Sequence, residues 1–337
     1  MSSSIPSPTS SPLLSADCQF CSVISKTNGE DPIGSANPCS GWMVMELPLP
    51  WTEERFDTDP ILKPIHDLFH DLYAQGIHIA PMGIARDRDY STPELARVVY
   101  YRRPAGPFAK FEPEEYLLPA EQIAPLVRVL LLEPESKSQF DPYRQPPSAI
   151  REIMICTHGN VDVACARFGQ PLYQILKKEY AAANSSLRVW RCSHFGGHQF
   201  APTLVDFPTG QVWGHLEPQI LPTLIDRHRP VAELRPFYRG WSGLGKFEQM
   251  VEREVWMQRG WDWLTYEKAG EVIEQRSGQG EGLDRVTVRL EFVTPSGVKG
   301  CYEAIVRTCG NVTTAVNSGG PLKMVDQYEV TELNQVH

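Results

Sequence analysis

Long apolar runs are missing from this chain of 337 residues. Its best stretch, Leu126 to Leu132, is interrupted by Arg128 and falls far short of the roughly 20 apolar residues that a membrane-spanning helix needs. An excess of basic charge is missing too, since 32 Lys and Arg stand against 41 Asp and Glu for a formal net charge of −9. That balance excludes a broad surface for nucleic acid or anionic membrane, because either wants clustered Lys and Arg. Cysteine is sparse, with eight scattered residues, which excludes a disulfide-dense mini-scaffold. No G-x-G-x-x-G follows an expected strand, so a built-in nicotinamide or flavin site of that type is unsupported. Residues 1–16, rich in Ser and Pro, lack the basic start and apolar core of a secretory signal and the Arg of a transit peptide. They read as a disordered tail, and the expected compartment is a reducing cytoplasm where free thiols and metal thiolates outlast disulfides.

What is present suffices for substantial cores. Hydrophobic residues make up 42% of the chain, aromatics 10%, and 29 Pro with 25 Gly punctuate it into many short elements. Trp42–Leu47 reads as a strand. Residues 61–74 read as an amphipathic helix with Ile61, Ile65, Leu68, Phe69 and Leu72 on one face. Strands are expected at 77–84, 96–102 and 111–118, and a helix over 119–132. Residues 133–148, polar and Pro-rich without apolar periodicity, read as a linker. The order then repeats: a strand at 150–156, a helix opening at Pro171, strands at 187–192, 203–207 and 211–216, and a helix over 218–227.

Each half thus reads β-α-β, then a β-hairpin, then α, an α/β order of thioredoxin-like type. The expected architecture is two tandem thioredoxin-like domains, 17–132 and 149–239, followed by an α+β appendage over 240–337. The appendage is expected to hold a helix from about Leu244 stopped by Gly260, and a hairpin joining Val286–Phe292 to Cys301–Arg307 through Pro295-Ser-Gly297.

Two segments carry the chemistry, each directly after a strand: Cys156-Thr-His158-Gly-Asn-Val-Asp162-Val-Ala-Cys165, and Cys192-Ser-His194-Phe-Gly196-Gly197-His198. Strand ends on one edge of a parallel sheet meet in space, so both loops should converge at one pole. That pole would hold three Cys and three His, ligands suited to a borderline or soft metal. Several ligand sets fit these residues. His194-x3-His198 matches half of a zinc finger, although Cys156 and Cys165 are too far apart for the other half. Cys156-x-His158 with Cys192-x-His194 would give a Rieske-like set. Cys18-x-x-Cys21 has thiol-redox spacing but no preceding strand, and reads as ordinary thiols, as do Cys39, Cys301 and Cys309.

The two loops, with Gly169-x-Pro171, Phe200-Ala-Pro202 and Pro208-x-Gly210-x-x-Trp213-Gly-x-Leu216, resemble the sucrase/ferredoxin-like family of thioredoxin-fold [2Fe-2S] proteins. So do Phe20-Cys21, Gly29-Glu-Asp-Pro-Ile-Gly34, Trp42…Glu46-Leu-Pro…Trp51 and Tyr238-Arg-Gly240…Gln249…Glu252. The resemblance covers nearly all of the chain after residue 17. It implies a [2Fe-2S] cluster with Cys156 and Cys165 on one iron and His194 and His198 on the other. Thr157, His158 and Asp162 would support these ligands, Cys192 would be a contested neighbour, and Gly196 and Gly197 would let the loop fold both rings inward. The "sucrase" half of the name finds no support, since no paired-carboxylate constellation suggests glycoside chemistry. Replacing two thiolates by imidazoles removes negative charge from such a cluster. Two His ligands raise potentials to about −150 to +300 mV, against about −400 mV for all-Cys plant-type clusters. Each bound imidazole also keeps a second nitrogen that can titrate, so reduction should couple to proton uptake. The expected function is electron transfer rather than catalysis, fed by a separate reductase and drained by an unidentified acceptor. The rival functions are a thiol-disulfide oxidoreductase and a zinc-stabilised interaction module.

Overall fold

A computed structural model describes residues 20–277 and 283–336. The expected disordered tail 1–16, and Cys18 with it, lies outside these residues. The first half runs α1 (Cys21–Thr27), β1 (Gly41–Glu46), α2 (Glu53–Thr58), α3 (Leu62–Ala74), β2 (Ala80–Ile84), β3 (Ala96–Arg102), β4 (Glu112–Leu118) and α4 (Ile123–Leu132). Strand alternation decides which side chains go to which face. Trp42 and Val44 of β1 point into one core, while Met43 and Met45 point into another beneath α3 and α4. The α3 face is the one its periodicity predicts, with Ile65, Leu68, Phe69 and Leu72 buried.

Residues 133–148 carry more structure than their polar composition suggests. A 3-10 helix, Pro134–Tyr143, buries Phe140 in the α3/α4 core, and Arg144 bridges to Tyr116 of β4.

The second half runs β5 (Arg151–Cys156), α5 (Val163–Ile175), β6 (Leu187–Cys192), β7 (Leu204–Phe207), β8 (Gln211–Trp213), α6 (Leu221–Asp226) and β9 (Tyr238–Trp241). One sequence expectation fails here: Pro171 lies inside α5 rather than opening it. The helix starts eight residues earlier because the Asp162 side chain accepts the Ala164 N–H (2.8 Å) and caps it. Strand β9 and helices α1 and α2 have no counterpart in the sequence reading; they are short and give too few residues to show a period.

Both halves pair their strands alike, with a parallel pair (β1/β2, β5/β6) followed by an antiparallel hairpin. Their sheets are fused edge to edge, through Ile84 of β2 opposite Cys192 of β6, into one nine-stranded mixed sheet of order β4-β3-β1-β2-β6-β5-β7-β8-β9. A separate four-stranded antiparallel sheet follows α7 (Lys246–Arg259): β10 (Glu267–Ser277), β11 (Leu283–Val293), β12 (Lys299–Ala315) and β13 (Leu322–Val336). Helix α7 stops at Gly260 as expected, whereas β10 and β13 were not read from sequence. Alternate residues Val286, Val288, Leu290 and Phe292 of β11 enter the same core as the second half, so the appendage is packed on and not tethered. Among the described residues no helix is long and apolar enough to cross a membrane.

A buried carboxylate ties the second half together. Asp206 on β7 takes two bonds from the Arg151 guanidinium (2.8 and 2.6 Å) and one from Arg227 (2.9 Å). Arg151 also donates to the Leu224 and Ile225 carbonyls near the end of α6. Burial alone would raise the Asp206 carboxyl, but the two guanidinium groups outweigh it and hold it below the ordinary range. A carboxyl depressed in the folded state gives stability that is present above the unfolded value of about 3.9 and is lost as pH falls through the folded one. Asp206→Ala should therefore cost about 3–5 kcal/mol by urea unfolding at pH 7, since it strands two cations. The gap between variant and parent should shrink on acidification below about pH 3.9; a gap that grows would contradict this account.

Candidate metal centre

The two chemical loops leave neighbouring parallel strands at one level, with Cys156 and Cys192 opposite each other in register. The Thr157 N–H donates to the Cys192 carbonyl (3.2 Å), so the first loop departs tied to the second strand. Helix α5 then crosses close over the end of β5. A Cβ on Gly169 would sit 2.0 Å from the Cys156 carbonyl oxygen, so only glycine permits this approach. The crossing places Cys165, in the first turn of α5, beside Cys156.

Cys156, Cys165 and His194 come together with donor atoms within 4.8 Å of one another. The His194 Nδ1 lies 4.0 Å from the Cys156 sulfur and 3.8 Å from that of Cys165. His198 sits against His194, ring centroids 5.1 Å apart. Its donor atom groups within the same 4.8 Å limit with those of Cys21 and Asp162. The outer nitrogen of His198, Nε2, meets the Val316 carbonyl (2.6 Å) and Asn317 Oδ1 (3.0 Å). Its Nδ1 is buried and has no hydrogen-bond partner among the described residues. A buried ring nitrogen left open while its twin is held is what a ligating imidazole requires. Two cysteines and two imidazoles with such a nitrogen are a donor set that fits an iron–sulfur or zinc centre.

Electrostatics favour a thiolate here. A hydrogen bond from Cys165 outweighs burial, and with help from His194 and the His158 N–H pulls the Cys156 thiol well below its usual range. Cys165, which gives that bond and is itself buried, is pushed well above the usual thiol range. The nearby buried cation is Arg239, 1% exposed. Burial lowers its guanidinium to about 10, while attraction from Cys165 and Cys156 works to keep it charged. It donates to the Gly196 carbonyl (2.9 Å) and to the Ser35 carbonyl (2.7 Å) and hydroxyl (3.0 Å). Gly197, at φ 76°, leaves room for it, because a Cβ there would fall 2.2 Å from the guanidinium.

The remaining expected residues fall around this group. His158 has both nitrogens engaged: Nδ1 accepts the His194 N–H (3.3 Å) and Nε2 meets the Trp51 carbonyl (2.7 Å). Asp162 caps α5 and accepts from the Ser318 hydroxyl (2.6 Å) and N–H (2.8 Å). Burial opposes its charge, yet these bonds hold it below the ordinary carboxyl range. Cys192 is fully buried at the seam with β2, its thiol raised by burial and by nearby Cys156. Thr157 uses its backbone in the loop. Four contributors went unread in the sequence: Cys21, Arg239, Asn317 and Ser318. Arg239 had a signal as the centre of Tyr238-Arg-Gly240, and Cys21 as part of Phe20-Cys21. Cys21 reaches the site from α1, and Asn317 and Ser318 from the turn between β12 and β13.

Titrating metal-free protein with Co²⁺ should give one thiolate-to-metal charge-transfer band saturating at one ion per chain. Cys165→Ser and Gly197→Ala should weaken binding at least tenfold, and Cys192→Ser should leave it in place. Loss of the band in Cys192→Ser alone would move the site toward β6.

The family model described as sucrase/ferredoxin-like matches residues 32–240. No curated protein and no solved structure matches the chain. Cys156, Cys165, His194, His198 and Arg239 lie inside the matched stretch, whereas Cys21 and the 316–318 turn lie outside it. With well over half of its residues covered, the chain belongs to the sucrase/ferredoxin-like family.

Proposed function

We propose that this chain is an electron-transfer protein that holds one [2Fe-2S] cluster through Cys156, Cys165, His194 and His198. The observation that carries the reading is the buried, unpartnered Nδ1 of His198 beside His194, whose own Nδ1 faces both cysteine sulfurs. Both halves follow the same strand order, which supports reading 17–132 and 149–239 as tandem thioredoxin-like domains. The first lacks such ligands at its strand ends, and 240–337 is appended. When bound, the cluster supplies one-electron transfer at a potential raised by its imidazole ligands. The protein's own residues prepare for it. Cys165 and His194 favour the Cys156 thiolate, Arg239 places a buried positive charge beside the sulfurs, and the 316–318 turn fixes the outer edge of His198. All seven described cysteines are free, which supports a reducing cytoplasmic setting with a separate reductase as donor. The acceptor is a further component, and turnover on a substrate is not part of the reading.

A second reading has its own observation: the donor atoms of Cys156, Cys165 and His194 lie close enough for a single zinc ion. Purified protein separates the two. A red-brown colour with two irons and two sulfides per chain supports the cluster; a colourless, zinc-loaded protein removes it. In the loaded protein, His194→Cys or His198→Cys should keep a cluster, lower its potential and flatten the dependence of that potential on pH. An unchanged pH slope in both variants would count against imidazole ligation.

A further inference from the structure

An apolar cavity of about 270 Å³ opens beside the site, between the first half's helices and the second half's two loops. This is just below the usual range for ligand cavities, about 300–1,000 Å³, and suits a single small ring; a boundary between two halves is where such cavities tend to form. Its walls are Trp51, Phe56, Ile65 and Phe69, with Val161 in the loop after β5; His66, His158, Ser193 and His194 supply the polar groups. No Asp, Glu, Lys or Arg lines it. His194, proposed above as a ligand, is thus part of the cavity wall, and His158 links its N–H to the Trp51 carbonyl across that wall.

One polar group in the lining is left without a partner. Trp51 is 3% exposed, and its indole N–H is buried with no acceptor among the described residues. The indole carbon bonded to that nitrogen lies 3.4 Å from the position a Cβ would take on Gly83, another lining residue. A buried donor without an acceptor is unfavourable unless something meets it. Flat aromatic walls select a flat ring, the lack of charged residues selects a neutral one, and the spare donor selects one that carries a carbonyl.

We infer that this cavity binds a small, uncharged, planar ring carbonyl compound of the quinone class, seated against His194. The part of this inference that concerns electron exchange rests on the proposed cluster; binding itself does not. It gives the first half, which has no ligands of its own, a role: β1, β2, α2 and α3 build most of the pocket.

The probe is tetramethyl-1,4-benzoquinone, whose ring positions are all blocked against addition of the protein's thiols. Isothermal titration of the purified full-length chain should show one saturable site. Val161→Trp, at a half-exposed position, should weaken binding at least tenfold by plugging the cavity, and Phe56→Ala should weaken it several-fold by removing a wall. Val163→Trp, at the exposed first residue of α5 and outside the lining, should leave it unchanged. Circular dichroism checks that each variant is folded. No saturable binding, or binding untouched by both Val161→Trp and Phe56→Ala, would overturn the inference. Saturable binding by Cys165→Ser protein that has lost its iron supports the pocket independently of the cluster. A protein loaded with iron and sulfide that does not bind the probe overturns the pocket and leaves the cluster reading standing.

Discussion

Everything at the site depends on two parallel strands ending at one level. Because β5 and β6 pair in parallel and in register, Cys156 and Cys192 finish opposite each other, and both loops begin from a shared edge. A parallel pair must be joined by a crossover, here α5, so the chain has to pass over that edge between them. Gly169 decides how close the crossover comes, since any side chain there would strike the Cys156 carbonyl. Close approach puts Cys165 against Cys156, and the second loop then needs only to fold back for His194 to complete the group, with His198 against it and grouped with Cys21 and Asp162.

That return fold is built around a buried charge. Arg239, carried in on β9, bonds the carbonyl of Gly196 and fills the space that a side chain on Gly197 would occupy. A guanidinium taken out of water is costly unless it is fully bonded and near negative charge. Ser35 and Gly196 supply the bonds, and the cysteine pair supplies the charge. From the other side, the turn between β12 and β13 holds His198 and Asp162. Residues beyond the family match therefore complete the outer wall of a site whose centre lies within it.

Much of this was legible in the sequence wherever a short-range pattern carried it. Strands β3, β5 and β6 were readable because β-branched and aromatic residues run between polar or Pro-rich breaks. Helix α3 was readable from its apolar face. The Cys and His residues stood out because they follow strands directly. Misplacing the start of α5 came from giving Pro171 more weight than Asp162, although a capping carboxylate fixes a helix start more firmly than a proline that the interior tolerates. Cys21 had only the Phe20-Cys21 pair as a local sign, and Asn317 and Ser318 had none. They are 141, 119 and 156 residues away from their partners Asp162, His198 and Asp162, and only the packing of the appendage onto the second half brings them in. Strand pairing between β2 and β6 was equally invisible, since a single bridge between two halves leaves no periodicity to read.

The central claim is that two imidazole nitrogens and two thiolates hold a reduced iron pair. Pulsed electron paramagnetic resonance on the dithionite-reduced protein tests it most directly, because it detects nitrogen nuclei bound to the paramagnetic centre. The account predicts strong hyperfine coupling to two histidine nitrogens, with one lost in each of the single His194→Cys and His198→Cys proteins. A reduced cluster without strongly coupled nitrogen, or no paramagnetic centre in a zinc-loaded protein, would contradict it.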